Sequence, residues 1–171
     1  MSIVVIQDMV DHAPEVPRIA AWFFDEWRSL YGSETQASVQ RRIESWLTRD
    51  RIPTALVAVH EGRIIGTVAL KEQEIEKVSW TPWLAGVFVL PEFRKRGVGA
   101  LLVQAAEKKA ALIGVQRLYL YTPDGKTYYR RLGWSVVEHC LLPSGPVAVM
   151  SKELQPDPSI QNGRPAADFK R

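Results

Sequence analysis

The chain has 171 residues, 46% of them apolar and 24% charged, enough for one domain with a sizeable core and too short for two of ordinary size. That balance excludes a disordered, collagen-like or coiled-coil chain, and no apolar run approaches the roughly 20 residues of a bilayer-crossing helix. The net charge of +3 is unevenly spread: residues 1–83 hold nine Lys/Arg and twelve Asp/Glu, residues 84–134 nine and three, and residues 135–171 four of each, so the middle of the chain points to an anionic partner.

Ser2–Gln7 is a short apolar run that predicts a first strand. From Pro17, the residues Ile19, Ala20, Trp22, Phe23, Trp27 and Leu30 place an apolar stripe on a helix that Pro17 can start and Gly32 ends. Ser33–Gln36 reads as a capping box opening a second amphipathic helix, with Val39, Ile43, Trp46 and Leu47 on one side and Pro53 as its stop. Thr54–His60 and Arg63–Leu70 flank Glu61-Gly62 and predict a tight antiparallel hairpin. Trp83–Leu90, bounded by Pro82 and Pro91, predicts a buried strand. A helix follows from Val98 to Gly114, then a strand over Arg117–Thr122, a short helix over Thr127–Leu132, and two strands, Trp134–Cys140 and Pro146–Glu153. The class is mixed α/β, with a single domain expected over residues 1–154. Residues 155–171 contain three prolines and little apolar content and are expected to be disordered.

The single Cys140 forms no internal disulfide, and the first residues lack the basic stretch of a secretion signal, so a soluble cytoplasmic protein without membrane contact is expected. His12, His60 and His139 show no ligand spacing, and no metal is expected.

The chemistry concentrates in Leu84–Leu102, LAGVFVLPEFRKRGVGALL: a strand, a loop with Arg94, Lys95, Arg96, Gly97 and Gly99, and a helix. The unpaired N–H groups of a helix's first turn attract an anion, and the two glycines let the main chain approach it. A dinucleotide GxGxxG fails because position 102 is Leu102, and a phosphate-binding GxxxxGK[ST] ending in Gly125-Lys126-Thr127 fails because position 120 is Leu120.

What remains is RxxGxG over Arg94–Gly99, preceded by Val89–Phe93, with Tyr129–Trp134 (YRRLGW) thirty residues on. In these motifs and their order the chain resembles the GNAT superfamily of N-acetyltransferases over about Arg63–Glu153, with the two N-terminal helices in the place of the family's variable substrate half. The resemblance implies a central twisted mixed sheet of six to seven strands with about four helices, in which strands 4 and 5 splay apart. It implies acetyl-CoA as co-substrate, its pantetheine arm pairing with main-chain groups of the Val87-Phe88-Val89 segment. Its diphosphate would lie on the turn formed by Arg94, Lys95, Arg96, Gly97, Val98, Gly99 and Ala100. It also implies a general-acid role for Tyr129, a phenol of pKa ~10 able to protonate a departing thiolate, with Tyr128 expected to be a packing residue.

The chain departs from a frequent family pattern in having no Asp or Glu within Trp83–Leu90. The general base is left among Glu72, Glu74, His60 and a water chain. Of six tryptophans, Trp80 and Trp83 are placed to line an acceptor pocket, and the negative first half leans toward a cationic amine. The expected partner is a small-molecule or peptide amine. A homodimer stays open, and nucleic-acid binding ranks last because a coenzyme phosphate site accounts for the same basic charges. The competing reading is a non-catalytic acyl-CoA-binding or regulatory module.

Overall fold

The computed structural model describes residues 2–156 and residue 158; the expected disordered tail lies almost wholly outside the described residues. Seven strands form one sheet: β1 (Val4–Asp8), β2 (Thr54–His60), β3 (Arg63–Lys71), β4 (Trp83–Val89), β5 (Arg117–Thr122), β6 (Ser135–Leu142) and β7 (Gly145–Glu153). Their order across the sheet is β1-β2-β3-β4-β5-β7-β6. All neighbours are antiparallel except β4 and β5, which are joined by the crossover helix α4 (Val98–Ile113). The remaining helices are α1 (Val16–Glu26), α2 (Arg28–Tyr31), α3 (Gln36–Glu44) and α5 (Lys126–Arg131).

The Glu61-Gly62 hairpin has both turn residues at positive φ (49° and 76°), the geometry that matches the twist of its strands. Two predicted helix boundaries shift. The single helix expected from Pro17 to Gly32 is two, because Trp27 leaves helical geometry (φ −116°, ψ 23°) while its ring packs edge-on against Phe23 and Phe88. The capping box forms at Thr35 and Ser38 rather than at Ser33–Gln36. Ser38 N–H donates to Thr35 Oγ1 (3.2 Å), Thr35 N–H donates to Ser38 Oγ (3.1 Å), and Glu34 accepts from Ser38 Oγ (3.3 Å) while pairing with Arg42.

Glycines mark the two covered faces of the sheet. A Cβ on Gly66 of β3 would meet Leu102 of α4, whereas one on Gly86 of β4 would meet the Phe23 ring of α1. So α4 lies on one face and α1 on the other, with α3 joined to α1 through Phe23 and Trp46. The main core fills both interfaces, and a smaller cluster of Ile75, Trp83 and Val149 lies under Trp80 and Tyr119. Among the described residues no helix is long and apolar enough to cross a membrane.

Candidate functional site

The site begins where β4 leaves β5. Trp83↔Tyr119 is the one register pair between them, reinforced by Tyr119 N–H donating to the Pro82 carbonyl (3.1 Å). Trp83 is fully buried there, its indole N–H donating to the Trp80 carbonyl (2.6 Å). Against β3, the pairing shifts between Ala69↔Ala85 and Thr67↔Phe88, so β4 carries one extra residue at Gly86-Val87. Gly86 takes a positive φ of 59° at this bulge, and its carbonyl accepts from Thr67 Oγ1 (2.9 Å). A bulge bends its strand. Past it, Leu90 N–H donates to the Ile65 carbonyl (2.9 Å), so the alternate residue Val89 turns its main-chain groups to the unpaired side of β4. Val87, at the bulge, has no register partner on β3, while Phe88 is buried against Trp22 of α1, ring centres 5.5 Å apart.

The loop after β4 feeds α4 through two left-handed residues, Lys95 (φ 59°) and Gly97 (φ 82°). A side chain other than glycine in that region is strained, and such residues gather at functional turns. The first described hydrogen bond of α4 runs from Leu101 N–H to the Gly97 carbonyl. No side chain caps the helix and no acid stands in its first turn, so the amides before Leu101 are available to an anion.

These two features share one cleft, lined by Val87, Phe88, Val89, Arg94, Lys95, Gly97, Gly99 and Ala100, together with Phe93, Tyr128 and Glu26. Eight of the ten residues expected around a coenzyme therefore meet in one place. The other two do not line it: Val98 is buried in the core, and the Arg96 guanidinium stacks on the Phe93 ring at 5.7 Å. Arg94 spans the cleft wall. Its Nε donates to the Val89 carbonyl (2.8 Å), its Nη2 meets both Glu26 carboxylate oxygens at 3.3 Å, and its guanidinium lies 5.7 Å from the Phe88 ring centre.

The adjacent tyrosines divide differently from expectation. Tyr128, read as packing, is 40% exposed and lines the cleft, its hydroxyl 2.8 Å from where a Cβ on Gly99 would stand. Tyr129 packs its ring against the core, edge-on to Trp134 and to Tyr128. Burial, with the neighbouring Tyr128 adding to it, pushes the Tyr129 phenol up to about 12. Its hydroxyl makes no hydrogen bond with a described residue and still reaches solvent. The YRRLGW turn is held from outside: Glu107 of α4 accepts from Trp134 Nε1 (3.0 Å) and Lys152 Nζ (2.8 Å), and Lys152 also donates to the Leu132 carbonyl (2.7 Å).

Sequence reasoning missed Glu26 and the cleft role of Tyr128. Glu26 arrives from 68 residues away and carries no local signal. Tyr128 could have been found from the helical geometry that turns successive side chains to different faces. Of the base candidates, Glu72 is exposed, His60 packs edge-on to Phe93 with Nδ1 buried and unpartnered, and Glu74 is half-buried and paired with Lys71.

The sequence profile described as the acetyltransferase (GNAT) family matches residues 16–134. An uncharacterized N-acetyltransferase of Chlorobaculum tepidum is 27% identical over 100 residues, which span 58% of this chain and 60% of that protein. Among solved structures, an aminoglycoside 6′-N-acetyltransferase complexed with coenzyme A superposes with a TM-score of 0.72 at 19% identity, covering 90% of this chain and 99% of that one. The N-acetylglutamate synthase of Neisseria gonorrhoeae complexed with coenzyme A and N-acetyl-glutamate gives 0.67 at 19%, covering 91% of this chain and 36% of that one. At these identities the structural likeness is one of fold.

Proposed function

The chain belongs to the acetyltransferase (GNAT) family, and from that premise we propose that it is an N-acetyltransferase. It moves an acetyl group from acetyl-CoA to a primary amine of a small molecule or peptide by direct attack on the thioester. Residues 1–154 form its one catalytic domain, and Cys140, with no partner for a disulfide in the sequence, suits a cytoplasmic setting. The observation that carries the proposal is the meeting of the uncapped α4 N-terminus with the unpaired side of β4 in a single cleft. That arrangement fits both ends of the co-substrate: main-chain amides at Gly97–Ala100 for a diphosphate, and the Val87 and Val89 main chain for amide-bearing pantetheine, by strand-like pairing.

When bound, acetyl-CoA supplies a thioester whose carbonyl carbon is open to attack by an unprotonated amine. The residues of the chain do the rest. Val87 and Val89 orient, the α4 amides hold charge, and Lys95 adds a cation at the rim. Arg94 keeps the Val89 carbonyl aligned and must share that oxygen, through its second lone pair, with an incoming donor. Tyr129, with its phenol lifted to about 12, keeps its proton throughout the neutral range, as a group that is to give one to a leaving thiolate must.

The test is calorimetric titration with coenzyme A and acetyl-CoA, followed by thiol release with a panel of primary amines. Tyr129→Phe should lower kcat by about 10²-fold or more, the usual scale of general acid catalysis, with coenzyme A affinity unchanged. Failure to bind coenzyme A rejects the proposal outright, and equal loss of affinity and turnover in Tyr129→Phe rejects the acid role.

A further inference from the structure

Tyr129 sits in a helix that cannot hold itself. α5 has six residues, and a helix of under about two turns has no stability of its own, so the direction of the Tyr129 phenol is set by what grips α5 at its two ends. At the start, Gly125 N–H donates to Thr122 Oγ1 of β5 (2.8 Å) and the Gly125 carbonyl accepts from Tyr129 N–H (3.0 Å). The Tyr129 ring lies so close over Gly125 that a Cβ there would stand 3.3 Å from Tyr129 Cε2. At the end, the Tyr129 carbonyl accepts from Leu132 N–H and from Trp134 N–H (3.0 Å each), and the Trp134 ring stands edge-on to the Tyr129 ring, centres 6.3 Å apart. Tyr129 is thus held between Gly125 on one side and Trp134 on the other.

Trp134 is held in turn from α4. Glu107, its side chain 12% exposed, accepts from Trp134 Nε1 through Oε1 and from Lys152 Nζ of β7 through Oε2. Lys152 also donates to the Leu132 carbonyl, and its stem crosses Gly133, where a Cβ would stand 3.3 Å from Lys152 Cε. One carboxylate therefore ties α4 and β7 to the turn that follows α5. An apolar residue at 107 could bury the indole equally well. A hydrogen bond to its N–H fixes the rotation of the ring as well, and with it the edge that meets Tyr129. Glu107 also shares its helix with the Gly97–Ala100 amides, and from Gly99 to Glu107 that helix rises about 12 Å.

We infer that Glu107 is a positioning residue: through Trp134 it sets the Tyr129 ring against α4, the helix whose N-terminus would hold the coenzyme diphosphate. Its effect on turnover rests on the general-acid reading of Tyr129; its grip on the ring stands on the contacts alone. Glu107 does not line the coenzyme cleft, so it acts through Tyr129 and not on a ligand. A general acid works only within hydrogen-bond reach of the atom it protonates, and a misplacement of about 1 Å can cost about 10²-fold. Mounting both the diphosphate amides and the hold on the phenol on one rigid helix fixes their separation.

The test is a double-mutant cycle on the full chain. Wild type, Tyr129→Phe, Glu107→Gln and the doubly substituted chain are assayed with acetyl-CoA and the best primary amine of the panel above, beside calorimetric coenzyme A affinity, urea melts and the NMR signal of the Tyr129 ring, assigned by its loss in Tyr129→Phe. Glutamine keeps the volume, but its one carbonyl serves Trp134 or Lys152, and its NH2 then faces the other donor. Glu107→Gln should shift the ring signal and lower kcat by about tenfold or more, with coenzyme A Kd within about twofold of wild type. On the Tyr129→Phe background it should lower kcat further by less than about twofold, because an acid already removed cannot be misplaced. A residue that only keeps the chain folded costs the same factor on both backgrounds. Glu107→Leu with Lys152→Met replaces the enclosed ion pair by apolar side chains and leaves Trp134 Nε1 and the Leu132 carbonyl without their partners. It should melt near wild type and still turn over about tenfold slower. Equal factors on the two backgrounds, wild-type kcat in Glu107→Gln, or wild-type kcat in the Leu/Met chain overturns the positioning role and leaves the acid reading standing. Wild-type kcat in Tyr129→Phe, or no turnover of any amine, defeats the acid or enzymatic reading instead; the Tyr129 ring signal then decides, and one unchanged by Glu107→Gln overturns the positioning role on its own.

Discussion

Gly99→Ala separates the cleft from the fold. Gly99 is the second residue of α4, and its φ lies outside the left-handed region, so alanine meets no backbone strain there. Its Cβ would stand 2.8 Å from Tyr128 Oη and 4.0 Å from Val89 Cγ2, between two walls of the cleft. Tyr128 is 40% exposed and can swing its hydroxyl aside, and the helix gains up to about 1 kcal/mol from losing a glycine, so stability should hold or rise slightly. A ligand pressed against the same amides has no such freedom. Overfilling a fitted site costs about 1–3 kcal/mol, or about 5- to 150-fold in Kd. Gly97→Ala is the complementary case: nothing lies within 4 Å of its Cβ, but φ is +82°, so it should cost about 1–2 kcal/mol of stability through left-handed strain. The assay is calorimetric Kd for coenzyme A beside urea melts of both variants. If Gly99→Ala bound coenzyme A like wild type at unchanged stability, a diphosphate would not approach these amides, and the reasoning from the α4 N-terminus would fall.

Two further outcomes follow from the groups around the YRRLGW turn. The Tyr129 phenol rises from 10.0 unfolded to about 12 folded, so between those values the folded chain holds a proton that the unfolded chain has lost. That stabilisation is complete below pH 10 and is lost as pH climbs through 12, by roughly 3 kcal/mol at most. Melts across that window should fall less steeply in Tyr129→Phe, and an identical slope would refute the burial argument. Glu107→Ala removes the acceptor of both Trp134 and Lys152, side chains that are largely enclosed, and should cost about 2–3 kcal/mol in urea melts. The paired Glu107→Leu, Lys152→Met chain should recover most of it, and no recovery would mean that packing, not the stranded Lys152 charge, sets the loss.

What the sequence made legible was whatever repeats locally. Trp83–Val89 and Arg117–Thr122 are apolar runs between breakers, and Glu61-Gly62 is a turn that needs two positive φ values, so these elements fall where expected. Gly97 and Gly99 stand out in the sequence because what they bring to the proposed main-chain site is the absence of a side chain. Trp27 was illegible for the opposite reason: its helical stripe is correct, but rings of α1 and β4 pull it out of the helix. The Ser33–Gln36 cap expected from the sequence gives way to Thr35 and Ser38 two residues on, a choice between adjacent hydroxyl-bearing residues that the local pattern does not decide. The order β5-β7-β6 is likewise invisible to periodicity, since it depends on which edge each strand meets.

Folding pairs part of the uneven charge of the chain. The basic segment, residues 84–134, sends Arg94 to Glu26 and Lys109 to Asp8, both acids of the negative first half, and Arg117 to Glu153. Arg96 spends its cation on the Phe93 ring. Two of the nine cations of this segment thus meet acids of the first half across α1, β1 and α4, and that share of the sequence difference states which parts of the chain pack together. At the mouth of the cleft this leaves Lys95 and the α4 amides, with Arg94 already shared between Val89 and Glu26. Anion recognition there has to rest on main-chain dipoles set by Gly97 and the left-handed Lys95. Such a site tolerates exchange of its side chains far better than loss of its backbone geometry.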